Sequence, residues 1–287
     1  MKPFFYTTFA LTAFAFNSIL CRLALRGEEA GAVGFTLVRL FSGALMLAVI
    51  TGFLSVRKAG KTLDARMVKL DNGSWLSAFF LFGYAIAFSL AYLDLTAATG
   101  ALILFGSVQL TIIAVSLVRG ERPPLLEWLG LLFAVGGLVY LVFPGLASPP
   151  LQSSLLMAAA GASWGFYTLR GKGSTDPLAV TTGNFVRSVP MIALIAIPFF
   201  AKIHLSNRGI ILAIISGAVT SGIGYAVWYA ALKFHPPTRA AVLQLSVPVI
   251  AAVCGIVFLA ETFSKRLLVA GIMIILGIGM TIFGKKS

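Results

Sequence analysis

The chain has 287 residues, of which 59% are hydrophobic and 11% are charged, and its formal net charge is +13. Soluble domains carry about 25% charged residues, so this composition and a mean hydropathy of +0.98 exclude a water-exposed globular domain. The basic residues lie between apolar runs and form no basic stretch interleaved with aromatics, which argues against a nucleic-acid partner.

Ten apolar runs follow one another along the chain, each close to the roughly 20 residues that a helix needs to cross the hydrocarbon core. The first run is too long for the apolar region of a signal peptide and is therefore predicted to be an uncleaved span. The predicted spans cover about residues 4–25, 32–56, 74–93, 99–118, 125–143, 151–169, 179–200, 210–232, 238–260 and 265–283. The sequence thus predicts an all-α membrane protein with ten transmembrane helices.

The positions of Lys and Arg predict the orientation, because the cytoplasmic loops of membrane proteins carry an excess of basic residues. The loop after the second span contains Arg57, Lys58, Lys61, Arg66 and Lys69. Placing this loop in the cytoplasm puts 14 basic residues on the cytoplasmic side and six outside. The prediction is a multi-pass protein of the cytoplasmic (inner) membrane with both termini cytoplasmic.

The two halves of the sequence resemble each other. An offset of 148 residues superposes Arg22 and Arg39 on Arg170 and Arg187, and Gly-Tyr-Ala occurs both at 83–85 and at 224–226. Residues 1–147 and 148–287 are therefore predicted to be two five-helix repeats. Because each has an odd number of spans, the second repeat is inverted relative to the first, as in many transporters.

Each half also places a small residue and a glutamate in the turn after its fourth span. The turns read Arg119-Gly120-Glu121-Arg122 and Leu259-Ala260-Glu261-Thr262. Together with the ten spans and the five-plus-five repeat, these turns make the sequence similar to the EamA-type drug/metabolite transporter superfamily over nearly the whole chain. Within that superfamily it resembles the YddG-type aromatic amino-acid exporters. The resemblance implies an inner-membrane carrier that exports amino acids, including aromatic ones.

The ionisable residues favour a carrier without tight ion coupling. All nine carboxylates and both histidines map to loops or span ends, whereas proton- and ion-coupled carriers typically place such a group within the membrane. This pattern is typical of facilitated diffusion. No nucleophile–base pair or metal-ligand cluster stands out, so the sequence predicts no enzyme activity, no cofactor and no metal.

A carrier of amino acids needs polar groups for the ammonium and carboxylate and an aromatic wall for the side chain, around a site near the midplane. Polar and aromatic residues deep in the spans are candidates for lining such a cavity: Asn17, Tyr84, Gln109, Trp164, Tyr225, Trp228, Tyr229 and Gln244. For each of them helix packing is the structural alternative, and Tyr92, near a span end, is interpreted as an interfacial anchor.

Three further residues are candidates for gating or anchoring. Arg39 and Arg187 lie about two turns inside their spans, where arginine commonly extends to the headgroups, although a guanidinium could also bind a carboxylate. Pro248 lies in the ninth span and could kink it.

The predicted partners are amino acids as substrate and membrane lipid. A multidrug or metabolite exporter remains an alternative, as does a phosphorylated-sugar exchanger, which should carry several deep Lys or Arg residues for phosphate. A non-transporting membrane scaffold is the alternative from another class, and its interior should pack without a cavity. An ion channel is disfavoured because no ring of charges or filter-like run of carbonyls is present.

Overall fold

The computed structural model describes residues 2–59, 72–120, 124–143, 145, 148–198, 203–235 and 237–284. Within these residues the regular structure is helical and no strand forms. The α-helices are α1 (Lys2–Arg26), α2 (Ala32–Ala59), α3 (Trp75–Ala91), α4 (Ala97–Val118), α5 (Leu125–Val142), α6 (Leu151–Gly171), α7 (Pro177–Ala196), α8 (Asn207–Ile214), α9 (Gly224–Leu232), α10 (Pro237–Gln244), α11 (Ser246–Leu259) and α12 (Lys265–Gly284).

The described helices confirm an α-helical membrane protein. Eight helical runs are long and apolar enough to cross a membrane, and Trp75–Ala91 is a shorter apolar helix. Helix α6 has 21 residues but is not among these eight runs, since it contains the polar residues Gln152, Ser153, Ser154 and Arg170. The predicted spans coincide with these helices, and their ends differ by a few residues.

Polar side chains cap the starts of several helices. Ser74, Thr96, Asp176 and Ser206 each accept a hydrogen bond from the backbone N–H three residues further on. Such caps satisfy N–H groups that have no partner within the helix. They explain why the apolar runs begin as helices immediately after these residues.

Two predicted spans are irregular. In the run 207–232, a π-helical segment (Ile215–Ile223) separates α8 from α9 without a loop. In the predicted span 238–260, α10 and α11 are separated only at Leu245. Mid-helix π segments often occur at functional sites. Both irregularities are adjacent to the cavity described below.

Small residues let the helices approach closely. A Cβ atom at Gly161 would lie 2.6 Å from the carbonyl oxygen of Leu104, and one at Gly165 would lie 2.8 Å from Cβ of Thr111. The Gly161-x-x-x-Gly165 stretch of α6 therefore packs closely against α4. Helices α5 and α12 meet in the same way, since a Cβ at Gly277 would lie 2.5 Å from the carbonyl oxygen of Gly130. Such small-residue contacts are typical of helix association in lipid.

The outer surface carries large apolar side chains, as expected for contact with lipid. Val118 is 89% exposed, and Leu125, Phe53 and Phe283 are also largely exposed. Tyr92, in contrast, is completely buried: its hydroxyl donates to the carbonyl oxygen of Ala97 at 3.2 Å. The interpretation of Tyr92 as an interfacial anchor was therefore wrong, because its ring packs inside the bundle against Phe88.

Two predicted features lie outside the described residues. They are the glutamate of the first turn, Glu121, and most of the basic loop after α2, with Lys61, Arg66 and Lys69.

Candidate functional site

A cavity of about 60 Å³ lies inside the helix bundle. It is enclosed by residues from α1, α2, α3, α4, α6, α7, the π-helical segment, α9 and α10. Six of the residues singled out in the sequence line it: Asn17, Arg39, Tyr84, Trp164, Tyr225 and Gln244. The cavity therefore draws residues from both halves of the chain.

Aromatic rings form one wall of this cavity. The ring centroid of Trp164 lies 4.6 Å from that of Tyr84 and 5.7 Å from that of Tyr225. Phe14 and Phe185 contact Tyr225, at 5.4 and 6.0 Å between ring centroids. Trp164 thus lies between the tyrosines of the two Gly-Tyr-Ala stretches. Tilted ring pairs at these distances are favourable, and they offer a flat apolar surface to an aromatic or aliphatic group.

Asn17 connects α1 to the π-helical segment. Its Oδ1 accepts hydrogen bonds from the hydroxyls of Thr220 at 2.6 Å and Ser216 at 2.9 Å, and a longer one from Ser221 at 3.4 Å. The hydroxyls of Thr220 and Ser221 are also 2.8 Å from the carbonyl oxygen of Ser216. Polar groups at membrane depth are satisfied internally in this way. The arrangement fixes Asn17 and the π-helical segment relative to each other.

The π-helical segment also lies directly against α2. A Cβ atom at Gly217 would overlap with the carbonyl oxygen of Arg39 and the hydroxyl of Ser42, so only glycine permits this approach. Gly222 faces Met46 on α2 in the same way, with 2.9 Å left for a Cβ atom. Gly217 and Gly222 therefore set the distance between the π-helical segment and the turn of α2 that carries Arg39.

Arg39 is buried in the cavity wall and does not extend to the headgroups, although the sequence suggested anchoring. Arg39 is only 3% exposed, and its Nη2 donates a hydrogen bond to the Tyr84 hydroxyl at 3.1 Å. The guanidinium carbon lies 4.9 Å from the ring centroid of Phe88 and 5.6 Å from that of Tyr84. These are cation–π distances.

A polar network closes the bundle about one turn beyond the cavity. Arg22 Nη1 donates to the carbonyl oxygens of Tyr92 at 3.0 Å and Leu93 at 2.7 Å, and Arg22 Nε lies 3.6 Å from Glu261 Oε1. Glu261 Oε2 accepts from the backbone N–H of Ala97, at the start of α4, at 2.9 Å. The network therefore joins the ends of α1 and α3, the start of α4 and the turn after α11.

The Glu261 carboxyl gives this network a testable pH dependence. Burial raises the pKa of Glu261 above its usual value, although the N–H of Ala97 and the Arg22 and Arg26 guanidinium groups act in the opposite direction. Between the unfolded and the raised folded pKa, the folded protein binds more protons than the unfolded chain. The stability contribution of Glu261 therefore falls as pH rises through this window.

We accordingly expect the Tm of the wild type, relative to that of Glu261→Gln, to decrease as the pH is raised from about 4 towards about 7. Glutamine keeps the size and the acceptor oxygen but does not titrate. Thermal denaturation of both proteins across this pH range in one detergent gives the difference. A relative Tm of the wild type that increases with pH would mean that attraction to Arg22 outweighs desolvation.

The remaining sequence candidates lie away from the cavity lining. Trp228 is buried and packs edge-on against Phe14 at 6.0 Å. The Tyr229 hydroxyl is 2.8 Å from that of Thr181. Arg187 Nη1 donates to the carbonyl oxygen of Gly183 at 3.1 Å. Gln109 on α4 and Pro248 on α11 also lie outside the lining residues, so a role of these five residues in transport remains a prediction.

Several lining residues were not singled out in the sequence. They are largely aromatic or aliphatic: Phe14, Leu40, Leu81, Phe105, Val108 and Phe185. Phe14 is one helical turn before Asn17, so a search for residues on the same face as a buried polar group would have found it. Phe105 and Phe185 carry no comparable signal, because apolar residues on every face of a span look alike.

Comparisons with known proteins agree with this architecture. Residues 151–283 match the model for the EamA-like transporter family. The uncharacterized protein PA1977 of Pseudomonas aeruginosa is 48% identical over 274 residues, covering 96% of this chain and 92% of that protein. The threonine/homoserine exporter RhtA of Escherichia coli is 30% identical over 184 residues, 61% of this chain and 60% of the exporter. A solved crystal structure with 18% identity has the same fold, with a TM-score of 0.63 over 96% of this chain and 94% of that chain.

Proposed function

Because this chain belongs to the EamA-like transporter family, we propose that it exports amino acids across the inner membrane by alternating access. Neutral amino acids, aromatic ones included, are the favoured substrates. The observation that carries this proposal is the internal cavity, which is lined by the amide residues Asn17 and Gln244 together with the aromatic residues Trp164 and Tyr225. Amides offer donors and an acceptor to a zwitterion, and the rings suit its side chain.

The proposed architecture is ten spans in two inverted five-helix repeats, with both termini in the cytoplasm. The main contacts between helices support this architecture. Each of them, made by a helix of one half, has an equivalent contact made by the corresponding helix of the other half. Helix α1 contacts α9 and the π-helical segment, as α6 contacts α3; α1 contacts α11, as α6 contacts α4. Helices α2 and α7 pair with each other, as do α5 and α12. A two-fold relation between inverted repeats produces this exchange.

The size of the cavity supports a carrier that changes conformation. Ligand pockets commonly have volumes of about 300–1,000 Å³, whereas this cavity has about 60 Å³. The helices must therefore separate before an amino acid can enter. The polar network of Arg22 and Glu261 closes the bundle on the side of the α1 end, so opening on that side has to break it.

The charges around the cavity support facilitated diffusion. Among the described residues, its lining contains no Asp, Glu or His, and Arg39 is its one charged group. A proton-coupled carrier typically has a titratable acid or histidine at this depth. A phosphorylated-sugar exchanger would be expected to place several cations there, and a scaffold would be expected to pack without a cavity. A multidrug or metabolite exporter of the same superfamily is the alternative, since aromatic walls also suit such solutes.

One relative supports the substrate class and the direction of transport. RhtA of Escherichia coli is a threonine/homoserine exporter, and the sequence independently resembles the YddG-type amino-acid exporters. Both observations favour neutral amino acids over cationic drugs.

Efflux from cells tests substrate and direction together. Cells that express the protein are loaded with labelled phenylalanine or threonine and transferred to amino-acid-free medium. We expect label to leave these cells faster than it leaves cells that have the same amount of the Asn17→Leu variant in their membrane. Leucine leaves the Ser216 hydroxyl without its acceptor and removes the hydrogen bonds that join α1 to the π-helical segment. Equal efflux of both amino acids from expressing and non-expressing cells would contradict the proposal.

A further inference from the structure

The Arg39 guanidinium is the one charged group among the described residues that line the cavity, and not all of its N–H groups have hydrogen-bond partners. Nη2 has the Tyr84 hydroxyl as its partner, whereas Nη1 is buried and makes no hydrogen bond. No described carboxylate lies within 4.0 Å of it, since the ion pairs in this part of the chain are those of Arg22 and Arg208. Arg39 also lines the cavity, so the unsatisfied N–H group belongs to the wall of the proposed binding site.

A purely structural role does not account for this arrangement. Arginines that tie helices together in this molecule donate to backbone carbonyls: Arg22 to Tyr92 and Leu93 after α3, and Arg187 to Asn72 before α3. Arg39 contacts a hydroxyl and two aromatic rings instead. Burying an unpaired charged group is strongly unfavourable, and cation–π contacts offset only part of that cost.

The Tyr84 hydroxyl is suited to act with Arg39. Its oxygen accepts the hydrogen bond from Arg39 Nη2, and its own proton has no acceptor among the described residues. One N–H of Arg39 and the O–H of Tyr84 are therefore both free to donate. Both residues line the cavity. Hydrogen bonds from a charged donor to a carboxylate are roughly twice as strong as neutral ones, so these two donors beside a positive charge suit a carboxylate.

We infer that Arg39, with Tyr84 beside it, binds the carboxylate of the transported solute, and that this site selects organic carboxylates over amines without a carboxylate. The inference rests on the proposed function and specifies its substrate class. No described acidic side chain lines the cavity to attract an ammonium group. The ammonium of an amino acid instead meets the amide oxygen of Gln244 and the aromatic faces, because the Asn17 oxygen already accepts from Ser216 and Thr220. An amine without a carboxylate leaves Arg39 as an unneutralised charge in the closed site.

The test uses three ligands that share a phenyl ring. They are phenylalanine, 3-phenylpropionate, which lacks the ammonium, and phenethylamine, which lacks the carboxylate. Each ligand competes with labelled phenylalanine for uptake into proteoliposomes, and each is also added to the detergent-solubilised protein during thermal denaturation. The wild type is compared with Arg39→Gln, Arg39→Lys and Arg187→Gln. Arg187 is the matched control because it occupies the equivalent position in the other half but lies outside the cavity lining.

We expect 3-phenylpropionate to inhibit uptake and raise the Tm of the wild type at a concentration at which phenethylamine does neither. Arg39→Gln should raise the KM for phenylalanine at least about tenfold, since a charge-assisted hydrogen bond is lost, and should abolish the preference for the carboxylate. Arg39→Lys should retain part of that preference, because lysine keeps the charge without the paired donors. Arg187→Gln should keep the full preference.

Equal competition by phenethylamine and 3-phenylpropionate in the wild type would overturn the inference while leaving amino-acid transport intact, and this outcome requires no variant to fold. An undiminished carboxylate preference in Arg39→Gln would overturn it too, as would the absence of any effect of the three ligands on uptake or Tm. If phenylalanine is not transported but 3-phenylpropionate raises the Tm in the wild type and in Arg187→Gln and not in Arg39→Gln, the carboxylate site stands and the proposed function fails.

Discussion

Substituting Gly217 by alanine is expected to lower the Tm and to reduce phenylalanine uptake at least about tenfold. The new Cβ atom would overlap with the carbonyl oxygen of Arg39 and the hydroxyl of Ser42, so α2 and the π-helical segment have to separate. Overpacking of this kind costs about 1–3 kcal/mol. It also displaces the turn that carries Arg39, so transport is affected beyond the loss of stability.

Gly279→Ala is the matched control for this substitution. Gly279 lies in α12, and nothing lies within 4 Å of the position that its Cβ would occupy. Alanine is favoured over glycine within a helix by about 1 kcal/mol, so this variant should have an unchanged or raised Tm. Uptake and thermal denaturation of both variants in the same preparation measure the two effects. Equal Tm and uptake for Gly217→Ala and Gly279→Ala would show that Gly217 does not contact α2 closely enough to exclude a Cβ atom.

Replacing Trp164 with alanine is expected to have the second large effect, a loss of phenylalanine uptake of at least about tenfold. The indole contacts Tyr84, Tyr167 and Tyr225 at 4.6–5.7 Å between ring centroids, so its removal breaks the aromatic wall on both sides. Truncating a packed aromatic side chain costs about 3–5 kcal/mol. Uptake into proteoliposomes, normalised to folded protein, separates transport from yield.

Two further variants show whether the ring itself matters. Trp164→Phe keeps an apolar ring and should retain more uptake than Trp164→Ala. Trp75→Ala removes a tryptophan at the start of α3 that is 61% exposed and does not line the cavity, so this variant should retain uptake near that of the wild type. Similar losses in Trp75→Ala and Trp164→Ala would contradict a specific role of the cavity wall.

Much of the fold could be predicted because the membrane imposes a strong constraint on sequence. A helix has to be about 20 residues long to cross it, so apolar length alone located α1, α2 and α12 to within a few residues. The π-helical segment could not be predicted, because its one extra residue per turn arises from tertiary contacts with Asn17 and α2. The separation of α10 from α11 at Leu245 does have a signal in the sequence, because Pro248 lies one turn later and cannot donate a hydrogen bond to the carbonyl oxygen of Gln244.

The sequence predicted which residues lie deep in the membrane better than it predicted which side of each helix faces the cavity. Asn17, Tyr84, Trp164, Tyr225 and Gln244 were proposed because polar and aromatic groups deep in a span favour the interior, and they line the cavity. Gln109 satisfies the same criterion and does not line it. The interior and the lipid are both apolar, so the sequence indicates how deep a residue lies but only weakly which side of its helix faces inward.

Arg39 shows a second limit of sequence reasoning. A guanidinium two turns inside a span usually reaches the headgroups along its flexible stem. Here the ring of Phe88 and the hydroxyl of Tyr84 hold it in the wall of the cavity. These partners lie on α3, and no pattern within α2 indicates them. The same residue type at the equivalent position, Arg187, donates to carbonyl oxygens instead, so repeat symmetry did not settle the environment of either arginine.

The most direct test of this account is the uptake of labelled phenylalanine by the purified protein in proteoliposomes with no ion gradient imposed. The account predicts saturable uptake above that of empty liposomes, unchanged when a proton or sodium gradient is added. Uptake that occurs only with such a gradient would contradict facilitated diffusion. No uptake under either condition would contradict an amino-acid carrier.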